Sequence, residues 1–128
     1  ELSTAKARNV LPQHVPYKDA VFNTAHASFL AAAFAKGDLE HLLFAVEDRL
    51  HQPYRAGLIP GFEEIVACGR EMGIPVYLSG AGPTMMALCS RSNANEFVVR
   101  SKPVLAKFAD WEVHVLEVEN HGAQVIRT

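Results

Sequence analysis

The amino-acid sequence predicts a single α+β domain of two layers, with helices packed on one face of a four-stranded antiparallel sheet. A length of 128 residues suits one domain with one core. A composition of 49% hydrophobic and 20% charged residues is typical of a globular protein. Helical spacing of apolar residues dominates the first half of the chain, and short apolar runs separated by turn residues follow. Because the connections are short, neighbouring strands should pair antiparallel.

The N-terminal part predicts two helices. Ser3 or Thr4 can cap a short first helix that ends before Pro12. Residues 19–36 place apolar side chains three and four positions apart, which predicts a long and mostly buried second helix. Gly37 is expected to end it.

The middle of the chain predicts two further helices around a loop. Asp38 can cap a helix that extends to about Leu50. Residues 52–60 contain two prolines and a glycine, which favours an irregular polar loop. Helical spacing resumes over residues 62–72.

The C-terminal part predicts a β-β-α-β-β order. Residues 76–79 and 84–90 form the first expected strand pair, and residues 93–108 form a helix. Two closing strands are expected at residues 112–117 and 123–127.

Composition also limits the function classes. The formal net charge is −2 and the twelve Lys and Arg residues are scattered, so we expect neither nucleic acid nor membrane as a partner. Cys68 and Cys89 lie among apolar neighbours without a CxxC pattern, which favours reduced thiols and a cytoplasmic location. The six histidines lack metal-ligand spacing, and we predict no metal site and no catalytic residue in this chain.

A glycine-rich segment joins the first two predicted strands, and we call it the glycine loop. Its backbone could approach a bound phosphate or carboxylate closely, because glycine has no Cβ. The alternative is an ordinary hairpin turn. The loop consists of Ser79, Gly80, Ala81, Gly82, Pro83 and Thr84.

Two other places carry candidate binding residues. Thr4 and Arg8 are four positions apart and share one face of a helical turn, where they could hold a small anion. A helix cap followed by a solvated basic residue is the alternative. Arg55, in the predicted loop between Pro53 and Gly57, is a candidate clamp for a carboxylate.

These segments together resemble the C-terminal domain of the homoserine kinase family, within the GHMP kinase superfamily. The resemblance covers essentially all residues from 1 to 128. The glycine loop resembles the superfamily's third motif, with Ala81 where the family usually has Ser. The segments STAKAR, at residues 3–8, and PYRAGLIPGF, at residues 53–62, point to homoserine kinase in particular.

The resemblance implies a ferredoxin-like domain of an enzyme that phosphorylates L-homoserine to O-phospho-L-homoserine with ATP, a step toward threonine. It implies that Thr4, Arg8 and Arg55 bind homoserine and that the glycine loop lies near the phosphates. ATP and Mg²⁺ would be held mainly by an N-terminal domain that this chain lacks, and the enzyme would be a homodimer. Because this chain would supply only half of the residues needed for phosphoryl transfer, it should not phosphorylate homoserine by itself.

Two other functions stay open at this stage. One is a GHMP kinase that acts on a mevalonate-type or sugar substrate. The other is a non-catalytic small-molecule-binding domain. Convergence of Arg8 and Arg55 with Thr4 on one side of the domain would favour a kinase, whereas an exposed sheet face without arginines would favour a sensing module.

Overall fold

The computed structural model describes residues 2–108 and 110–125 of the chain. Within them it contains six α-helices and two short β-strands, which confirms the α+β class. In chain order the elements are α1 (Thr4–Asn9), α2 (Tyr17–Lys36), α3 (Leu39–Ala45), α4 (Gln52–Ala56), α5 (Phe62–Glu71), β1 (Val76–Leu78), β2 (Met85–Ala87) and α6 (Arg91–Leu105).

Three helix ends predicted from local signals are confirmed, whereas α3 ends at Ala45 and not at about Leu50. The Ser3 hydroxyl accepts a hydrogen bond from the Lys6 backbone N–H at 3.2 Å and caps α1. Asp38 caps α3 in the same way through the His41 N–H, also at 3.2 Å. Gly37, in the left-handed region, ends α2.

Helix α2 is far more exposed than its apolar spacing predicts. Only His26 and Ala33 are buried along its twenty residues, and Phe29 is 51% exposed. The helix packs against α3, which covers one side of it. The prediction of a mostly buried helix is therefore wrong, because periodicity identifies an apolar face but not the element that covers it.

The first half of the predicted loop at residues 52–60 is a helix. Pro53 lies in the first turn of α4, where the missing N–H has no intrahelical partner to lose. The prediction treated Pro53 as a breaker and is wrong for Gln52–Ala56.

The sheet has two strands in the described residues, so the prediction of a four-stranded, ferredoxin-like sheet is wrong there. Strands β1 and β2 pair antiparallel, with Tyr77 opposite Met86. Residues 112–125 form no strand, and Val115 and Val118 are 60% and 80% exposed. Alternating apolar residues are compatible with a strand, but a strand must also form backbone hydrogen bonds with a neighbouring strand. Among the described residues, residues 112–125 pair with no strand. Residues 126 and 127 of the last predicted strand lie outside the described residues.

The core fixes the position of the glycine loop. Val76 of β1 packs with Ile65 of α5 and Phe97 of α6. Leu78, at the end of the same strand, packs with Ile59 and Phe62. Because Leu78 is 4% exposed and the loop begins at the next residue, the loop starts from a rigid point in the core.

Candidate functional site

The glycine loop is a closed hairpin connection. The Ser79 N–H donates to the Thr84 carbonyl at 2.9 Å, and the Gly82 N–H donates to the Ser79 carbonyl at 3.2 Å. Gly80 and Gly82 have φ values of +62° and +84°, which only glycine adopts at little cost. The loop thus has hairpin geometry and requires glycine at both positions. Both an anion-binding loop and an ordinary hairpin turn are compatible with this geometry.

The two glycines face different surroundings. A Cβ on Gly82 would lie 2.9 Å from Leu78 Cδ1 and 3.0 Å from Ile59 Cδ1, whereas a Cβ on Gly80 would meet nothing within 4 Å. Among the described residues, the N–H groups of Gly80 and Ala81 have no hydrogen-bond partner. Gly82 therefore serves the packing of the loop, and the Gly80 side leaves open space and two free donors.

Arg55 connects three separate parts of the chain, although its side chain is buried. Its Nε donates to the Ala7 carbonyl of α1 at 3.1 Å. Its Nη1 donates to the Gly80 carbonyl at 2.9 Å and to His51 Nδ1 at 3.4 Å. The structure thus brings Arg55, helix α1 and the glycine loop together.

One end of the Arg55 guanidinium is left for other contacts. Nη2 carries two N–H donors, and the described residues offer it no hydrogen-bond partner. Because Nε and Nη1 are held by hydrogen bonds, the guanidinium is already oriented to bind an anion through Nη2.

Thr4 and Arg8 lie on the helix that Arg55 contacts. Both side chains are exposed, and neither makes a hydrogen bond to another described residue. Arg8 directly follows Ala7, whose carbonyl accepts from Arg55. Thr4 and Arg8 are therefore accessible to a ligand. The hydrogen bond from Arg55 to the Ala7 carbonyl is the observation that places them near Arg55.

The supports of Arg55 are residues that the sequence analysis did not select. The Asp48 carboxylate accepts hydrogen bonds from the backbone N–H groups of Leu50, His51 and Gln52, at 3.2, 2.8 and 2.6 Å. It also accepts from the Asn23 side-chain amide at 2.5 Å. An Asp four residues before a helix that begins with Pro in its first turn is the signal that could have identified it.

These hydrogen bonds set the ionisation of Asp48. Burial acts to raise the pKa of its carboxyl. Hydrogen bonds from the His51 and Gln52 N–H groups and from the Asn23 side chain, together with the nearby His51 ring, lower this pKa by more than burial raises it. The pKa of Asp48 therefore lies below its ordinary value, and the group is a carboxylate at neutral pH.

Gln52 joins the same region to the sheet. Its Oε1 accepts from the Leu78 N–H at 2.8 Å, and its Nε2 donates to the Val46 carbonyl at 3.1 Å. This amide uses both a donor and an acceptor, so the start of α4 is fixed against the end of β1, next to the glycine loop.

Two cavities, of about 240 and 200 Å³, lie on either side of residues 46–48 and Gln52. Neither is lined by Thr4, Arg8, Arg55 or the glycine loop. These two cavities are therefore separate from the candidate site.

Other sequence-based expectations have simple outcomes in the structure. Cys68 and Cys89 are free thiols, and burial raises the pKa of both. Arg49 pairs with Asp19 of α2 at 3.4 Å, and its guanidinium stacks on the Phe22 ring. None of the described helices combines the length and apolar character needed to cross a lipid bilayer.

Comparison with known families gives one match. The family model described as "GHMP kinases C terminal" matches residues 30–101, more than half of the chain. The match includes α4, α5, both strands and the glycine loop.

Several similar proteins are named homoserine kinase. The homoserine kinase of Caldicellulosiruptor bescii is 45% identical over 129 residues, covering 98% of this chain and 42% of its own length. That of Gloeobacter violaceus is 52% identical over 88 residues, or 68% of this chain and 29% of the relative. A crystal structure of homoserine kinase from Cytophaga hutchinsonii superposes with a TM-score of 0.78 at 28% identity, covering 84% of this chain and 35% of that one. The chain thus spans about two fifths of the length of such relatives.

Proposed function

Because the chain belongs to the GHMP kinase family through its C-terminal domain, we propose that it is the substrate-side domain of a homoserine kinase. The intact enzyme would transfer the γ-phosphoryl group of ATP to L-homoserine and form O-phospho-L-homoserine, a step toward threonine. Relatives of that name at 41–52% identity support this substrate class.

The observation that carries the proposal is the fixed Arg55 guanidinium, whose Nη2 has no hydrogen-bond partner among the described residues. Three hydrogen bonds hold its Nε and Nη1 between α1, His51 and the glycine loop. A guanidinium that is already ordered loses little freedom when it binds a carboxylate. We assign Arg55 to the α-carboxylate of homoserine.

Thr4 and Arg8 complete the substrate side of the proposed site. They are exposed on α1, whose backbone contacts Arg55. A hydroxyl and a second guanidinium at this position can bind the amino acid's polar groups. The glycine loop would lie next to the transferred phosphoryl group, with the N–H groups of Gly80 and Ala81 available to an anion.

ATP and Mg²⁺ are the cofactors that this reaction requires. The residues described by the structure hold no group of three or more His, Cys, Asp or Glu side chains that could bind a metal ion. We therefore assign Mg²⁺ and most ATP contacts to an N-terminal kinase domain, and we propose that the intact enzyme is a homodimer. When bound, Mg²⁺ would neutralise charge on the transferring phosphoryl group.

Substrate assays test the proposal. The intact kinase that contains this chain should phosphorylate L-homoserine in an assay for released ADP, and mevalonate and galactose should give no comparable rate. Turnover of mevalonate or a sugar without turnover of homoserine would assign the chain to another GHMP kinase. Absence of any kinase activity would favour a binding module.

Substitution of Arg55 tests the residue assignment. In the intact kinase, Arg55→Ala should raise the KM for homoserine about ten- to a thousandfold, with little change in the KM for ATP. Arg55→Lys keeps the charge but loses the fork and should give a smaller increase. Arg49→Gln is the matched control, because Arg49 stacks on Phe22 away from the loop.

A further inference from the structure

The Asp48 carboxylate organises the start of the helix that carries Arg55. Its side chain is 7% exposed. Its two oxygens accept from three consecutive backbone N–H groups, including that of Gln52, the first residue of α4. Helix α4 has five residues, too few for a stable isolated helix, so its position depends on such external contacts.

His51 adds a side-chain route from Asp48 to Arg55. Its Nδ1 accepts from Arg55 Nη1 at 3.4 Å, and because arginine can only donate, the neutral ring carries its proton on Nε2. That Nε2 lies 3.8 Å from Asp48 Oδ1. Asp48 is therefore linked to Arg55 through its hydrogen bond to the start of α4, and the His51 ring lies between the two side chains.

Asn23 ties this group to the long helix α2. Its amide nitrogen donates to Asp48 Oδ1 at 2.5 Å, and its amide oxygen accepts from the Arg49 N–H at 2.9 Å. Both ends of the amide are used, so its orientation is fixed. Asn23 is 32 positions before Arg55 in the chain and joins α2 to the turn that precedes α4.

We propose that Asn23 and Asp48 are positioning residues that hold Arg55 in the orientation required for binding the substrate carboxylate. The inference rests on the proposed function of Arg55. Neither residue touches the glycine loop or any group assigned to the substrate. Their effect should therefore appear in the KM for homoserine and disappear when Arg55 is absent.

The test uses the intact kinase, its Arg55→Ala variant and four further variants. Asp48→Asn replaces one acceptor oxygen with an NH₂ group that cannot accept from the N–H groups of residues 50–52, and it should raise the KM for homoserine about tenfold. Asn23→Ala removes one contact to the carboxylate and should raise this KM about threefold. The KM for ATP should stay within about twofold of wild type in both. Asp38→Asn is the matched control, since Asp38 also caps a helix but has no contact with α4, and it should leave the KM for homoserine unchanged.

The double variant Asp48→Asn/Arg55→Ala separates positioning from general damage. If Asp48 acts through Arg55, adding Asp48→Asn to Arg55→Ala should change the KM for homoserine by less than about twofold. A full tenfold further increase, or a parallel increase in the KM for ATP, would overturn the inference.

The outcomes also separate this inference from the proposed function. If Arg55→Ala leaves the KM for homoserine unchanged, the assignment of Arg55 itself fails. If Arg55→Ala raises it but Asp48→Asn and Asn23→Ala do not, only the positioning role fails. Thermal melting monitors folding, and should Asp48→Asn not fold, the Asn23→Ala variant decides the question by the same KM comparison.

Discussion

Arg55 donates a hydrogen bond from Nη1 to the carbonyl oxygen of Gly80 at 2.9 Å and thereby joins helix α4 to the glycine loop. The two residues are 25 positions apart in the chain. This contact places the proposed carboxylate-binding group beside the loop proposed to lie near the phosphates. A substrate bound by one is then close to the other.

The two glycines of the loop should respond differently to alanine. Gly80→Ala should cost ~1–2 kcal/mol of unfolding free energy, from the left-handed φ alone. Gly82→Ala should cost a further ~1–3 kcal/mol, because its Cβ would press on the buried Leu78 and Ile59 side chains. Urea denaturation of the two variants measures the difference, and equal losses would contradict the packing role of Gly82.

Restoring the residue usual in the family should be harmless. Ala81 is half-buried and lies between two glycines that set the loop geometry. Ala81→Ser adds one hydroxyl without changing backbone conformation, so kcat and both KM values should stay within about twofold of wild type. A large change in kcat would show that side-chain chemistry, and not the backbone, controls this loop.

Stability should fall in acid partly through Asp48. Its pKa is lower in the folded protein than in the unfolded chain, so the carboxylate stabilises the fold above its ordinary pKa of about 3.9. This contribution is lost as the pH falls through the depressed folded value. Between about pH 5 and pH 2.5, the Tm of Asp48→Asn should therefore depend less on pH than that of wild type.

The Asp38→Asn variant gives a comparison for that experiment. The pKa of Asp38 is also lowered, chiefly by the hydrogen bond from the His41 N–H, but its environment is open to solvent. Its effect on the pH dependence should be smaller because water screens it. An Asp48→Asn curve parallel to wild type would contradict the account of Asp48.

The isolated chain should fold but should not phosphorylate homoserine. Its buried clusters enclose a core around α5, β1 and α6, which should give a cooperative transition in calorimetry. An ADP-release assay with homoserine, ATP and Mg²⁺ should show no turnover until an N-terminal kinase domain is supplied. ATP-dependent product from these 128 residues alone would require a nucleotide site within them.

The sequence predicted local features well and long-range ones poorly. The Ser3 and Asp38 caps follow from residues within one helical turn and were correct. Helix α4 was missed because its cap, Asp48, lies outside the helix and is held by Asn23 from α2. Pro53 alone fits both the first turn of a helix and the end of one, and the hydrogen bonds of Asp48 to Asn23 and Gln52 are what favour the first turn.

The candidate site divides in the same way. Gly80 and Gly82 both have positive φ, the conformation that makes glycine the favoured residue in such turns. Selecting Arg55 required only its residue type and its neighbours, whereas its burial and its bond to Gly80 depend on the packing of α4 against α1 and the loop. The prediction of the C-terminal strands was wrong because alternating apolar residues do not show whether a neighbouring strand is available for pairing.

Selectivity for the substrate carboxylate tests the central claim most directly. In 2-amino-1,4-butanediol the carboxylate of homoserine is replaced by a hydroxymethyl group, while the hydroxyl to be phosphorylated remains. For the wild-type intact kinase, kcat/KM should favour homoserine over this analogue by about a hundredfold or more. In Arg55→Ala that ratio should fall by at least about tenfold, because the group that recognises the carboxylate is gone. A ratio that Arg55→Ala leaves unchanged would contradict the assignment of Arg55 and, with it, the placement of the substrate on this domain.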